Sequence, residues 1–370
     1  MSSRGTLRSG VHSKSMATAG GGVASLMITA VYRVTAVAAL ATAGCVPDGG
    51  GCLPDGASPT VRVSDTRPLM GVAWTITVYA GDRNAGDAAI AAGFAEARRL
   101  ERVLSDYDAD SELSRLSAAA PTAQPVPVGD DLWRLLVRAE EIRGLTDGAF
   151  DITVGPLTTL WRQSRRSGKL PRPDKLAAAR AAVGGDALRL DPELRGVSLR
   201  RPGMRLDPGG IGMGYAADRV LAVLAALGID SAMVDASGDV VVSAPPPGTA
   251  GWRIAVAGLP GDDAPDAKTL VLAQAAVTTS GDARQAVDID GRRYSHIVDP
   301  RTGIGVSGPA AVTVIAADGA TADALATAAS VLGPDAAADV IDGVPGCSAR
   351  FVWQAGDGIE HCTTAGWPAD

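Results

Sequence analysis

The chain has 370 residues, enough for one large or two modest domains, and its 46% hydrophobic content supplies a sizeable core and excludes wholesale disorder. Only 4% of residues are aromatic, so much of that core must be Ala, Val and Leu. A net charge of −7 argues against nucleic acid or an anionic membrane surface as the main partner, but leaves room for a small anionic ligand at a local, metal-assisted site.

Residues 1–44 read as an export leader. Arg4, Arg8 and Lys14 precede apolar runs at Val23–Tyr32 and Val34–Ala43, and Ala41-Thr42-Ala43-Gly44-Cys45 resembles a bacterial lipobox. Export and lipidation at Cys45 are expected, with the lipid as membrane anchor. The alternative is a transmembrane anchor, although Arg33 interrupts the roughly 20 apolar residues that a span needs. Residues 45–66 are rich in Pro, Gly, Asp and Ser and read as a flexible tether, which leaves 67–370 for the folded domain.

Alternation from Trp74 to Tyr79 predicts the first strand. Helical spacing follows at Ala88–Leu104. The polar loop Ser105–Leu116 re-enters a short helix with Asp110 or Ser111 as its N-cap, and further helices are expected at Leu132–Leu145 and Lys175–Val183. Short strands are expected between Leu188 and Leu199. Leu206-Asp207-Pro208-Gly209-Gly210-Ile211-Gly212-Met213-Gly214-Tyr215 reads as a strand end, a glycine-dense turn and a helix that Gly228 stops. Such a turn is a ready anion site, because free backbone N–H groups and the helix dipole both point there. The G-x-G-x-x-G fingerprint fails at Tyr215, so a Rossmann fold is unsupported.

Strands are then expected at Ala232–Ser243, Trp252–Ala257, Thr269–Val277, Arg293–Val298 and Ala311–Ala316. The fourth carries His296 just before a rigid Asp299-Pro300-Arg301-Thr302-Gly303 turn, where an imidazole can take a proton from a hydroxyl; a hydrogen-bonded structural His is the alternative. A helix over Ala322–Leu332, capped by Thr321, puts Asp323 and Thr327 on one face. That is a hard-oxygen pair suited to Mg²⁺, or else two solvent-facing residues. Cys347 and Cys362 flank a hairpin pattern and are read as a cross-strand disulfide or as two free thiols. The irregular alternation of elements predicts an α+β fold: one large catalytic domain of mixed, mainly antiparallel sheets flanked by helices.

Eight segments carry a family resemblance. They are Met70-Gly71, the Ser105–Leu116 loop with Tyr107 and Ser111, Gly148–Leu157, Leu206–Asp218, Asp235–Asp239, Thr279-Ser280-Gly281, His296–Gly303 and Ala322–Thr327. Together and in this order they resemble the ApbE-type FAD:protein FMN transferases. The resemblance implies an extracytoplasmic enzyme that uses FAD as substrate and Mg²⁺ as cofactor. Its partner would be an acceptor flavoprotein whose Thr or Ser hydroxyl receives FMN, with AMP released. By position, Met70, Tyr107 and Ala149-Phe150-Asp151 would contact the flavin nucleotide, Asp207 would hydrogen-bond it, and Val298 would lie beside the flavin. The backbone carbonyl of Gly210 with Asp323 and Thr327 would hold the metal, and His296 would be the general base. Met213 occupies a cofactor-facing position where many relatives carry Lys, Val72 replaces a usual Thr, and Ser237 replaces the first Gly of a usual Gly-Gly-Asp. A FAD pyrophosphatase and a flavin-binding lipoprotein without turnover are the alternative functions.

Overall fold

The computed structural model describes residues 60–256, 258–259, 269–281, 286–307, 310–356 and 358–368. The leader, Cys45, Cys52 and the first part of the tether lie outside the described residues. The rest of the tether is corrected by β1 (Val61–Leu69), which pairs in register with β2 (Val72–Ala80) across the Met70-Gly71 turn. β1 is the edge of an eight-stranded antiparallel sheet in which β2 is followed by the strands at Ser231–Ala236, Asp239–Val242, Ala275–Gly281, Ala310–Ala316, Ser348–Ala355 and Gly358–Thr363. Its charged Arg62, Asp65 and Arg67 make it read as loop, and charge on either face is how an edge strand avoids pairing with other chains. Asp65 and Arg67 share the face of buried Val63 and Leu69, with Arg67 4.4 Å over the Phe94 ring.

α1 (Arg83–Leu104), capped by the Asp82 side chain, packs on β1 and β2 and buries Ile90, Phe94 and Leu100 beside Trp74, Ile76 and Val78. Each such side chain contributes about 1.5–3 kcal/mol through burial. α2 (Glu112–Ala118) has Ser111 as its N-cap, with Oγ accepting from Ser114 N at 3.0 Å. β3 (Val126–Pro127), α3 (Asp130–Leu145), α4 (Gly155–Ser167), α5 (Pro173–Ala181), β4 (Leu188–Asp191) and β5 (Gly196–Leu199) follow, the three strands forming a small sheet ordered β3-β5-β4. The expected strand end at Leu206 is only an isolated bridge between Val154 and Arg205.

α6 (Gly212–Ala226) ends before Gly228, whose φ of 79° is the expected left-handed stop. The stretch 232–243, expected as one strand, is a hairpin of β6 (Ser231–Ala236) and β7 (Asp239–Val242). Ser237 at φ 63° and Gly238 at φ 111° turn it, and positive φ at both central residues suits a tight hairpin. Likewise, after β8 (Trp252–Ala255), the stretch 269–277 divides into β9 (Thr269–Leu272) and β10 (Ala275–Gly281) at Gln274, φ 50°. β11 (Ala286–Ile289), β12 (Arg292–Val298) and β13 (Gly305–Ser307) make a separate sheet that packs Tyr294 and Val298 against Leu157 and Trp161 of α4.

β14 (Ala310–Ala316) leads into α7 (Gly319–Leu332), which lies on β10 and β14 with α6 beside it. Surrounded in this way, α7 is apolar nearly all round, and its alanines let neighbours approach closely. Its cap is Asp318 rather than Thr321: the helix begins earlier than expected, and Asp318 Oδ1 accepts from Thr321 N at 2.8 Å. α8 (Pro334–Asp342), β15 (Ser348–Ala355) and β16 (Gly358–Thr363) complete the chain. Cys362 stands opposite Phe351, whereas Cys347 precedes β15, so the register does not oppose the two cysteines and both are free thiols. The described residues form one compact α+β unit of mainly antiparallel sheets flanked by helices, as expected. Among the described residues no helix is long and apolar enough to cross a membrane.

Candidate active site

The glycine turn and α7 meet at the proposed metal ligands. Ile211 N and Gly212 N both donate to Pro208 O, at 3.0 and 2.7 Å, which folds the turn onto the start of α6. A Cβ on Gly210 would stand 2.7 Å from Thr327 Oγ1, so only glycine lets this backbone come so close to the hydroxyl. One turn back along α7, Asp323 accepts from Gly214 N at 3.2 Å and also from Met213 N. Gly210, Thr327, Asp323 and the half-buried Met213 are thus brought together.

Asp323 is 5% exposed, which removes the solvent-facing reading, and among the described residues no cationic side chain pairs with it. Burial first, then repulsion from Asp239, pushes its carboxyl well above the ordinary range. Asp239 is itself pushed up to about 6 by burial, against a 2.7 Å hydrogen bond donated by Thr278 Oγ1. A buried carboxylate facing another carboxylate without a cation is unfavourable unless protons or a cation neutralise it. Among the described residues no three His, Cys, Asp or Glu groups are gathered for a metal. A cation here would draw on one carboxylate, a hydroxyl and backbone carbonyl oxygen. Those donors fit Mg²⁺, which keeps several waters, and not a thiophilic metal.

A second cluster joins Tyr107 to Asp207. Tyr107 is 80% exposed, and its ring lies 4.5 Å from the Arg162 guanidinium. Arg162 bridges two buried carboxylates: Nη1 reaches Asp106 at 2.6 Å and Nη2 reaches Asp207 at 3.1 Å. Asp207 also accepts from Thr158 Oγ1 at 2.5 Å and from Gly209 N at 2.8 Å, which ties this cluster to the glycine turn. Burial and the neighbouring Asp207 raise the Asp106 carboxyl, and Arg162 opposes the rise. Sequence reasoning passed over Arg162. The available signal was its spacing from Thr158, four residues apart on one helix face.

The remaining candidates are placed separately. Met70, at φ 50°, donates its N–H to Glu101 Oε1 of α1 at 3.1 Å and is half-buried. Ala149 and Phe150 are core residues. Both Asp151 oxygens are engaged within the protein, Oδ1 by Thr153 N at 2.8 Å and Thr153 Oγ1 at 2.7 Å, Oδ2 by Gly185 N at 3.1 Å. What residues 149–151 can offer a nucleotide is therefore mainly backbone. Val298 is buried in the α4–β12 cluster.

His296 is half-buried on β12, the strand that lies against α4 and α7. Trp161 Nε1 donates to Ser295 O at 2.8 Å, and the Trp161 ring meets Tyr294 edge-on at 5.5 Å, so α4 braces the strand just before this residue. Beyond it, Gly303 N donates to Asp299 O at 2.8 Å, and the Asp299 carboxylate is held by Arg301 at 2.9 Å. A histidine so braced is presented by a stiff strand rather than a loop.

The ApbE family model matches residues 70–351. The FAD:protein FMN transferase of Klebsiella pneumoniae is 31% identical over 312 residues, which are 82% of this chain and 88% of that protein. That of Haemophilus influenzae is 32% identical over 246 residues, 65% of this chain and 71% of that protein. The crystal structure of the Pseudomonas stutzeri flavinyl transferase ApbE in its apo form superposes with a TM-score of 0.71 at 31% identity, covering 83% of this chain and 95% of that one. A matched segment running from the Met70 turn through the glycine turn, β12 and α7 takes in every residue placed above. The chain belongs to the ApbE family.

Proposed function

We propose that this protein is a Mg²⁺-dependent FAD:protein FMN transferase, exported and held on the membrane by a lipid at Cys45. The observation that carries the reading is Asp323: a buried carboxylate without a cationic partner among the described residues, at the foot of the glycine turn where Gly210 closes on Thr327. Asp323, Thr327 and the Gly210 carbonyl would hold the metal, which when bound supplies charge neutralisation at the pyrophosphate.

The chain's own residues do the rest. Tyr107, backed by Arg162, offers an exposed ring face for stacking against the nucleotide. Asp207 fixes the glycine turn through Gly209 N, and so holds Gly210 where its backbone meets Thr327. His296 takes the proton from the Thr or Ser hydroxyl of the acceptor protein. The hydroxyl oxygen bonds to the FMN-side phosphorus, the bond from that phosphorus to the bridging oxygen breaks, and AMP leaves with the bridging oxygen. Met213, lacking a charge, gives the nucleotide packing where a Lys would give an ion pair.

Co-expression with an acceptor bearing a Thr/Ser flavinylation motif, followed by intact-mass measurement, tests this. One covalent FMN per acceptor is expected, lost in Asp323→Ala or on chelation and restored by Mg²⁺. FAD converted to FMN and AMP without modified acceptor identifies a pyrophosphatase, and tight FAD binding without AMP identifies a binding protein. For the anchor, Cys45→Ala should release the protein from the membrane fraction.

A further inference from the structure

One sequence frame occurs twice in this chain. Gly214-Tyr215-Ala216-Ala217-Asp218 opens α6, and Gly319-Ala320-Thr321-Ala322-Asp323 opens α7, each reading Gly-x-x-Ala-Asp. Gly214 to Gly228 and Gly319 to Gly333 span the same length, and both closing glycines have positive φ, 79° and 78°. The two frames lie face to face. A Cβ on Gly214 would stand 2.0 Å from Gly319 O, and one on Gly319 would stand 2.5 Å from Gly214 O, so the helix backbones touch at these two points.

From that contact each aspartate reaches back to cap the other helix. Asp323 accepts from Gly214 N at 3.2 Å; Asp218 accepts from Gly319 N at 2.7 Å and Ala320 N at 3.0 Å. The N-terminal amides of a helix have no partner within it, and here α6 and α7 each supply the other's acceptor. The copies diverge one turn later: Thr327 follows Asp323, but Ala222 follows Asp218. The same frame therefore yields a hydroxyl–carboxylate pair on α7 and a carboxylate alone on α6.

We propose that Asp218 is a positioning residue for the metal site: by capping α7 it fixes the rotation of that helix about the Gly214–Gly319 contact, and so keeps Asp323 and Thr327 in register with Gly210. This rests on the metal assignment made above. The glycine contact alone is a pivot. With Asp218 gone, the amides of Gly319 and Ala320 lose their acceptor on α6, and the first turn of α7 lifts toward solvent in the cavity that Asp218, Asp318 and Ala320 line. Asp323 sits one turn along from that point, so the lift moves a ligand.

The test titrates Mn²⁺ alone into purified wild type, Asp218→Asn, Asp218→Ala, Asp323→Ala and Val197→Ala, reading free Mn²⁺ by electron paramagnetic resonance. Residues that orient metal ligands typically change affinity by about 10–100-fold. Asp218→Asn keeps the volume and one acceptor oxygen, so its Kd should rise about 10-fold, and that of Asp218→Ala further. Val197→Ala truncates a buried side chain in β5 and should lower the melting temperature with Mn²⁺ affinity unchanged. Should Asp218→Ala not fold, the Asn variant carries the comparison. Asp218 variants that bind Mn²⁺ within twofold of wild type, or that lose no more affinity than Val197→Ala at equal loss of melting temperature, overturn the proposal. Wild type without a Mn²⁺ site, or Asp323→Ala binding like wild type, shows instead that the metal assignment has failed, and the positioning role falls with it.

Discussion

Replacing Gly214 by Ala should drive α6 and α7 apart. The new Cβ would sit 2.0 Å from Gly319 O, 2.3 Å from Gly319 C and 2.9 Å from Ala320 N. All three are backbone atoms, so no side chain can turn away. Ordinary contact begins at 3.4 Å, which requires the helices to part by about 1.4 Å along this line. A shift of that size takes the 2.7 Å bond from Gly319 N to Asp218 beyond hydrogen-bonding range. Hydrogen bonds to charged groups contribute about 1.5–3 kcal/mol each, and overpacking costs about 1–3 kcal/mol. With one or two of the three caps surviving by relaxation, the loss should be roughly 2.5–9 kcal/mol, a large share of a stability of about 5–15 kcal/mol. Equilibrium urea denaturation measures it, with Gly81→Ala as control because a Cβ there meets nothing within 4 Å. A loss below about 1 kcal/mol, with Mn²⁺ binding intact, would refute the close-contact argument.

His296→Ala should slow FMN transfer by about 10²–10⁴ while changing FAD binding little, since a general base acts in the transition state; single-turnover AMP release that matches wild type would make His296 structural. Arg162→Ala releases the Tyr107 ring and leaves Asp106 and Asp207 without their shared cation, so calorimetry should show FAD binding weakened about tenfold, with Arg162→Lys intermediate because it cannot bridge both carboxylates flatly. Equal affinities in all three proteins would separate this network from the nucleotide. Burial holds the Asp218 carboxyl at about 7 against an ordinary 3.8, so the folded state binds this proton more tightly than the unfolded chain does. Its contribution to stability is therefore complete below about pH 4 and is lost as pH rises through 7, by about 4 kcal/mol. Asp218→Asn does not titrate, so its stability relative to wild type should improve from pH 4 to pH 8, on top of a constant penalty for the lost cap. A pH-independent difference in denaturation free energy would contradict that.

The chemistry of this chain was more legible than its edges. Asp323 and Thr327 fall on one helix face by spacing alone, and the turn after β12 is written in Asp299, Pro300 and Gly303. Spacing gives no burial, however. Whether Asp323 faces solvent depends on α6 lying against it, which is a tertiary fact. β1 was missed because an edge strand carries charges that resemble a loop. The division of residues 232–243 turned on Ser237 taking positive φ, a conformation that serine rarely adopts and that the closing hairpin imposes. Thr321 read as the cap of α7 because it stands just before the alanine run, whereas the helix begins at Gly319 and Asp318 caps it. Arg162 was signalled only by its spacing from Thr158, since its partners Asp106 and Asp207 are distant in sequence.

The two unpaired cysteines bear on how the protein ages. Thiol–disulfide exchange and oxidation proceed through the thiolate. Burial pushes the Cys347 thiol up to about 11, so that at pH 8 only about one molecule in a thousand carries the reactive form. Burial raises the Cys362 thiol as well. Neither sulfur faces the other across the β15–β16 hairpin, so a thiolate formed at one finds no resolving partner among the described residues. Under oxidising conditions this pair therefore reacts slowly, and the hairpin keeps its reduced form by kinetics rather than by redox potential.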